Sequence, residues 1–179
     1  MLGSTYLQEN FRTVRGNTIV IAEEIPADKY AFKAAPSVMS VGEMLAHVAV
    51  APRWQMSVHR DRTSTIDFGM FAARNAAVKE AEQALQTKEG IVAALKDGGD
   101  EFVAFLAGLT PETLAEVISF PPPVQPATKT RFELLMSLKE HEMHHRGQLM
   151  LIQRMLGIVP HLTRRREAFT AQLQAQAQS

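Results

Sequence analysis

The 179-residue chain contains no cysteine. That absence excludes disulfides, thiolate metal ligands and a cysteine nucleophile together, and it suits a reducing compartment. Any metal ion must be held by histidine and carboxylate, and any thiol chemistry must bring its thiol from outside. A charge surplus is missing too, since Lys plus Arg and Asp plus Glu each number 19. A nucleic-acid binder normally carries a basic excess that displaces counterions from phosphate, so no nucleic-acid partner is expected. The triplet Arg164-Arg165-Arg166 reads as a solvated helix face. No segment approaches the roughly 18 consecutive apolar residues that a bilayer crossing needs. The opening MLGSTYLQENFRTVRG lacks a basic stretch followed by an apolar core and a cleavage site. The expectation is a cytoplasmic protein with no membrane partner.

What is present resembles an ordinary globular composition, 46% hydrophobic and 21% charged. The length fits one core. We assign residues 1–165 to a single helical domain and 166–179, ending in AQLQAQAQS, to a helical or frayed tail.

Apolar spacing predicts helices throughout. The first runs from about Thr5 to Ile25, with Gly16 and Thr18 interrupting its stripe and Pro26 closing it. The second opens at Ser40, where Glu43 three residues on completes a capping box. Its inward face reads Met44, His47, Val48, Ala51, Trp54, Gln55 and Val58, and Pro52 predicts a kink. Ala72 to Gln86 is a mixed, Ala-rich helical stretch, and a third long helix follows Thr87 with Gly98-Gly99 as its soft point. Phe120-Pro121-Pro122-Pro123-Val124-Gln125-Pro126 predicts an extended crossover outside the bundle that excludes helix and sheet ladder alike. A fourth long helix spans about Thr130 to Leu156 and stops at Gly157 and Pro160; a short extra C-terminal helix begins at Thr163.

Within the fourth helix, positions 138, 141, 145, 149, 152 and 156 form one stripe, and two of them are histidines. Imidazoles four residues apart lie on one face with Cβ atoms roughly 5–6 Å apart, close enough to share a cation. Burying both among leucine and isoleucine is unfavourable unless something compensates them, and one metal compensates both. His47, inward on another helix, can supply a third nitrogen; taken alone it would read as a hydrogen-bonded core residue. His144 is turned by about 100° and is expected to support the ligands, face a partner or meet solvent. His59 and His161 are expected at the surface. His141-Glu142-Met143-His144-His145 also satisfies H-E-x-x-H, the zinc-protease pattern, but the extended form fails because Leu151 stands where a third histidine is required.

Leu138-Lys139-Glu140-His141-Glu142-Met143-His144-His145-Arg146-Gly147-Gln148-Leu149 resembles the last bundle helix of the DinB/YfiT-like superfamily, whose signature is a His-x-x-x-His pair running into Arg-Gly-Gln. Ser40-Val41-Gly42-Glu43-Met44-Leu45-Ala46-His47 resembles that family's entry to its second helix. The resemblance covers about residues 5–160. It implies an all-α fold, an antiparallel four-helix bundle with a long crossover connection, commonly a homodimer, with zinc or nickel on His47, His141 and His145. It also implies a small-molecule substrate and a choice of chemistries. One is a transferase or isomerase that activates a low-molecular-weight thiol such as bacillithiol, mycothiol or glutathione for attack on an electrophile. Another is a hydrolase using metal-bound hydroxide, with Glu142 or His144 as proton carriers. A third is non-enzymatic, a metal-stabilised binding module.

Overall fold

Ser40 and Thr130 start their helices in the same way. The hydroxyl accepts the backbone N–H three residues on, and the glutamate at that position, Glu43 or Glu133, takes the cap residue's own N–H at 2.7 Å. These two capping boxes fix the helices that carry every histidine of the constellation. The protein is described by a computed structural model covering residues 3–177. Its elements are α1 (Ser4–Glu24), a 3-10 turn (Ala27–Lys29), α2 (Val41–Arg60), α3 (Phe68–Gln83), α4 (Lys88–Ala107), α5 (Pro111–Ala115), β1 (Val117–Ser119), β2 (Thr128–Thr130), α6 (Arg131–Met155) and α7 (His161–Ala177). The expected tail from 166 is helical as far as Ala177; residues 178 and 179 lie outside the described residues. No described helix is long and apolar enough to cross a membrane.

The bundle consists of α1, α2, α4 and α6, with α1 and α2 each packed on both α4 and α6. One core layer joins Ile21, Leu45, Val48, Leu95 and Leu149, and a second joins Phe11, Met56, Phe102, Leu106, Leu135 and Leu138. Thr18 does not break the first stripe, because its hydroxyl donates to the Val14 carbonyl at 3.1 Å and can be buried without cost to hydrogen bonding. Gly157 ends α6 with φ at 78°, the left-handed conformation that glycine adopts without strain.

Arg15, unforeseen as a core residue, sits at the centre of the bundle at 3% exposure. Its guanidinium donates to Glu142 on α6 at 3.0 Å, to the Leu95 carbonyl on α4 at 2.9 Å and to the Val48 carbonyl on α2 at 3.0 Å. Pro52 explains the last contact. It has no N–H to give the carbonyl four residues earlier, so Val48 is left with a free acceptor and Arg15 fills it. Proline here frees a carbonyl in a helix that runs without interruption from Val41 to Arg60. Gly99 makes room for the arginine, since a Cβ there would lie 3.1 Å from Arg15 Cγ.

Two expectations are corrected, for His59 and His161, and one element is added. The proline-rich crossover is flanked by a sheet ladder: β1 and β2 pair antiparallel, Ile118 opposite Lys129, and the prolines occupy only the connecting loop. Proline cannot donate to a ladder, but the residues outside the run can. His59 is buried, because Phe105 of α4 and Arg131 at the start of α6 pack against it. It donates to Gln55 Oε1 at 3.3 Å and accepts from Arg131 at 3.3 Å, while Arg131 also binds Glu116 and the Thr63 carbonyl. His161 is buried as the first residue of α7, donating to Asn17 of α1 at 3.1 Å.

Burial, aided by the Arg131 charge, pushes His59 from 6.5 down to about 4. Between those values the unfolded chain takes up a proton that the folded protein refuses. The stability His59 allows is therefore intact above pH 6.5 and declines as pH falls toward 4, by about 3 kcal/mol in all. His59→Gln, which keeps hydrogen bonding but cannot titrate, should flatten the fall in melting temperature between pH 6.5 and 4; an unchanged slope would contradict this account.

Candidate metal centre

His47 on α2 and His141 and His145 on α6 point their Nε2 atoms at one another. His141 Nε2 lies 2.9 Å from His47 Nε2 and 3.2 Å from His145 Nε2. All three ligand atoms fall within 4.8 Å of one another. Nitrogens bound tetrahedrally at about 2.0–2.1 Å to a common zinc would stand roughly 3.3 Å apart. The two distances from His141 match that spacing, and His47 and His145 need to draw together for all three to share one ion.

The outer nitrogens decide what the inner ones can do. His47 Nδ1 lies 2.6 Å from Glu82 Oε1, and a carboxylate only accepts, so Nδ1 carries the proton and Nε2 a lone pair. His145 Nδ1 donates to Gln148 Oε1 at 2.9 Å, which fixes the same tautomer. His141 has one N–H at most and cannot satisfy both facing lone pairs. A cation satisfies all three nitrogens, and carboxylate or amide support behind the ligand is the usual arrangement around bound metal. Burial, then the neighbouring imidazoles, lowers His141 to about 4, and burial lowers His145 as well, so both are neutral donors near pH 7.

Glu82 was not foreseen. It lies on α3, an Ala-rich helix whose pattern carries no metal signal, and only the packing of α3 on α2 brings it to His47. Gln148 had a readable cue, since it stands three residues after His145 within Arg-Gly-Gln. Its amide also reaches outward, with Nε2 3.2 Å from His144 Nε2. His144 is exposed and lies outside the three-nitrogen cluster. Glu142, expected as a proton carrier, is turned by about 100° from His141 into the bundle core, where it is 1% exposed and held by Arg15. A carboxylate committed to a buried guanidinium inside the bundle is a structural partner.

A pocket of about 330 Å³ opens on His47 and His141. Its walls come from α2 (Ala51, Trp54, Gln55), α3 (Phe71, Asn75, Val78), the hairpin (Phe120, Val124, Gln125, Lys129) and α6 (Leu134, Ser137, Leu138). The crossover expected to wrap the outside thus forms one wall. Among the described residues, no aspartate or glutamate lines the pocket.

Two substitutions separate support of the ligands from support of the fold. Glu82→Ala should weaken divalent-metal affinity by about 10–100-fold while leaving the metal-free melting temperature nearly unchanged. Glu142→Leu strands the Arg15 charge and should cost about 3–5 kcal/mol of stability; calorimetry with metal titration should show a lower melting temperature and one bound ion as before. Equal metal affinity in Glu82→Ala and the parent would remove Glu82 from the site.

A family model described as the DinB superfamily matches residues 10–149. No curated protein matches the sequence. Among solved structures, a DinB-like protein of Bacillus subtilis is 25% identical, with 85% of this chain and 92% of that chain covered and a TM-score of 0.63. YfiT of Bacillus subtilis, described as a probable metal-dependent hydrolase with an unusual four-helix bundle topology, is 14% identical, covering 87% and 88% with a TM-score of 0.65. A mycothiol-dependent maleylpyruvate isomerase is 10% identical, covering 83% of this chain and 61% of that one with a TM-score of 0.63. The last two likenesses concern the fold. With the model spanning most of its length, the chain belongs to the DinB superfamily.

Proposed function

We propose that His47, His141 and His145 hold one divalent metal ion, zinc or nickel, and that the protein is an enzyme activating a small external thiol for attack on an electrophilic substrate. The observation that carries this reading is the pocket: mostly apolar, about 330 Å³, reaching two of the three ligands, and without a carboxylate in its walls. When bound, the ion supplies Lewis acidity that favours the thiolate of a thiol cosubstrate. The chain itself supplies the rest. Glu82 and Gln148 hold the imidazoles in one tautomer, while Trp54, Phe71, Val78 and Leu138 exclude water from the substrate. The thiol proton leaves to solvent, since no free acid or base lines the pocket apart from the histidines and Lys129. Without cysteine, the chain cannot provide the sulfur. A cytoplasmic thiol such as bacillithiol, mycothiol or glutathione fits that requirement.

Hydrolysis is the alternative, supported by the description of YfiT. It is weakened here because Glu142 is committed to Arg15 and His144 lies outside the pocket lining. A purely cementing ion accounts less well for an open pocket beside two ligands. Metal-loaded protein should consume thiol in the presence of a reactive aryl halide. Chelation or His141→Ala should lower that rate at least about 100-fold, the scale of a lost metal function. Ester cleavage of equal rate with and without thiol would instead establish the hydrolase.

The second copy of a homodimer is the partner this reading includes. Leu151 and Met155 lie one turn apart on α6, Phe169 and Leu173 one turn apart on α7, and all four are exposed. Leu151→Glu combined with Phe169→Glu should halve the mass measured by sedimentation; a monomeric parent would dispose of the dimer.

A further inference from the structure

The pocket holds one fixed positive charge. Lys129, at the centre of β2, lines it, is half-buried, and forms no ion pair among the described residues. Its Nζ donates instead to Ser137 Oγ at 3.0 Å, so the head group is placed by α6, the helix that also carries His141. Lys129 and Ser137 also border a shallower cavity with Glu133 and Glu140 on its rim; the Glu133 carboxyl is held low chiefly by Thr130 and only weakly by Lys129. That carboxylate already caps α6 through the Thr130 N–H and hydroxyl. A half-buried ammonium with a neutral hydroxyl as its hydrogen-bond partner retains unused donors. The other polar walls, Gln55, Asn75 and Gln125, are uncharged, and the remainder is apolar or aromatic.

We infer that the substrate is an anionic, largely apolar small molecule, a carboxylate, seated with its charge on Lys129 and Ser137 and its hydrocarbon part between Trp54, Phe71 and Val124. This specifies the substrate class of the proposed reaction and rests on that reading for its catalytic meaning, but the binding itself requires only Lys129. Orientation follows from the chemistry. A carboxylate fixed at the hairpin wall points the rest of the molecule into a space whose other polar landmark is the histidine pair, and it keeps the anion from occupying the metal.

The chain has a single tryptophan, Trp54, and it lies in this wall, so its fluorescence reports occupancy directly. The probes are 3-phenylpropionate and its neutral amide, titrated into metal-loaded protein. The carboxylate should perturb Trp54 saturably and bind at least about tenfold more tightly than the amide, a difference that shrinks with added salt. Lys129→Met should abolish the preference while still binding metal, and Lys129→Arg should restore most of it. His145→Asn, which removes a metal ligand outside the pocket lining, should retain the preference. Equal affinity for acid and amide in the parent would overturn the inference. So would a preference that survives Lys129→Met but disappears in His145→Asn, which would place the carboxylate on the ion. If the preference follows Lys129 in protein that binds no metal at all, the metal reading fails and the anion site stands.

Discussion

One guanidinium ties the bundle together. Arg15 leaves α1 and meets a carbonyl of α4, a carbonyl of α2 and the Glu142 carboxylate of α6, so all four bundle helices converge on one side chain. A buried charge is tolerable only when its donors are met and its charge is paired, and here both conditions hold. The consequence for the site is geometric. Glu142 is adjacent in sequence to His141, and Val48 is adjacent to His47. The same clamp therefore lies beside the stretches of backbone from which two of the ligands project. Neighbouring faces of one short run on α6 do different work: Glu142 faces the interior ion pair, while His141 and His145 face the three-nitrogen cluster.

Much of this was legible. Hydrophobic periodicity, with the capping box at Ser40, placed the start of α2 and both ends of α6 to within a residue or so, and the four-residue spacing put His141 and His145 on one face of α6, where the structure brings them together with His47. Arg15 was not legible, because an arginine in an amphipathic stripe ordinarily marks the solvent face. Its burial depends on three acceptors from other helices, one of them exposed by Pro52 thirty-seven positions away. Pro52 was visible as an anomaly, but its meaning lay in a tertiary contact. Glu82 was hidden for a related reason: a helix with little amphipathic pattern gives no indication of which side will face a neighbour. The hairpin flanking the prolines is three residues long on each side, too short for alternation to register. His59 and His161 were misplaced because their burial comes from partners distant in sequence, Arg131 and Phe105 for the first and Asn17 for the second.

The H-E-x-x-H string shows how the same letters separate once they are folded. In the protease pattern the glutamate works beside the metal. Here the first and last histidines of the string form the pair, and the glutamate one position after His141 is rotated by about 100° into the bundle core. A motif specifies spacing along a helix; which face meets the pocket is fixed by the neighbours.

α3 links the pocket to the ligands. It buries no side chain fully, yet it supplies Glu82 to His47 and contributes Phe71, Asn75 and Val78 to the pocket. Trp54 on α2 packs its ring 5.7 Å from that of Phe71, so one end of α3 is held by an aromatic contact and the other by the Glu82 hydrogen bond. A molecule in the pocket adds apolar contact to a helix that has little of its own. Whatever steadies α3 also steadies the carboxylate behind His47, and linkage makes the effect mutual: an ion that orders His47 and Glu82 favours the wall that the substrate needs. A helix that buries no side chain fully thus borders both the histidine cluster and the pocket.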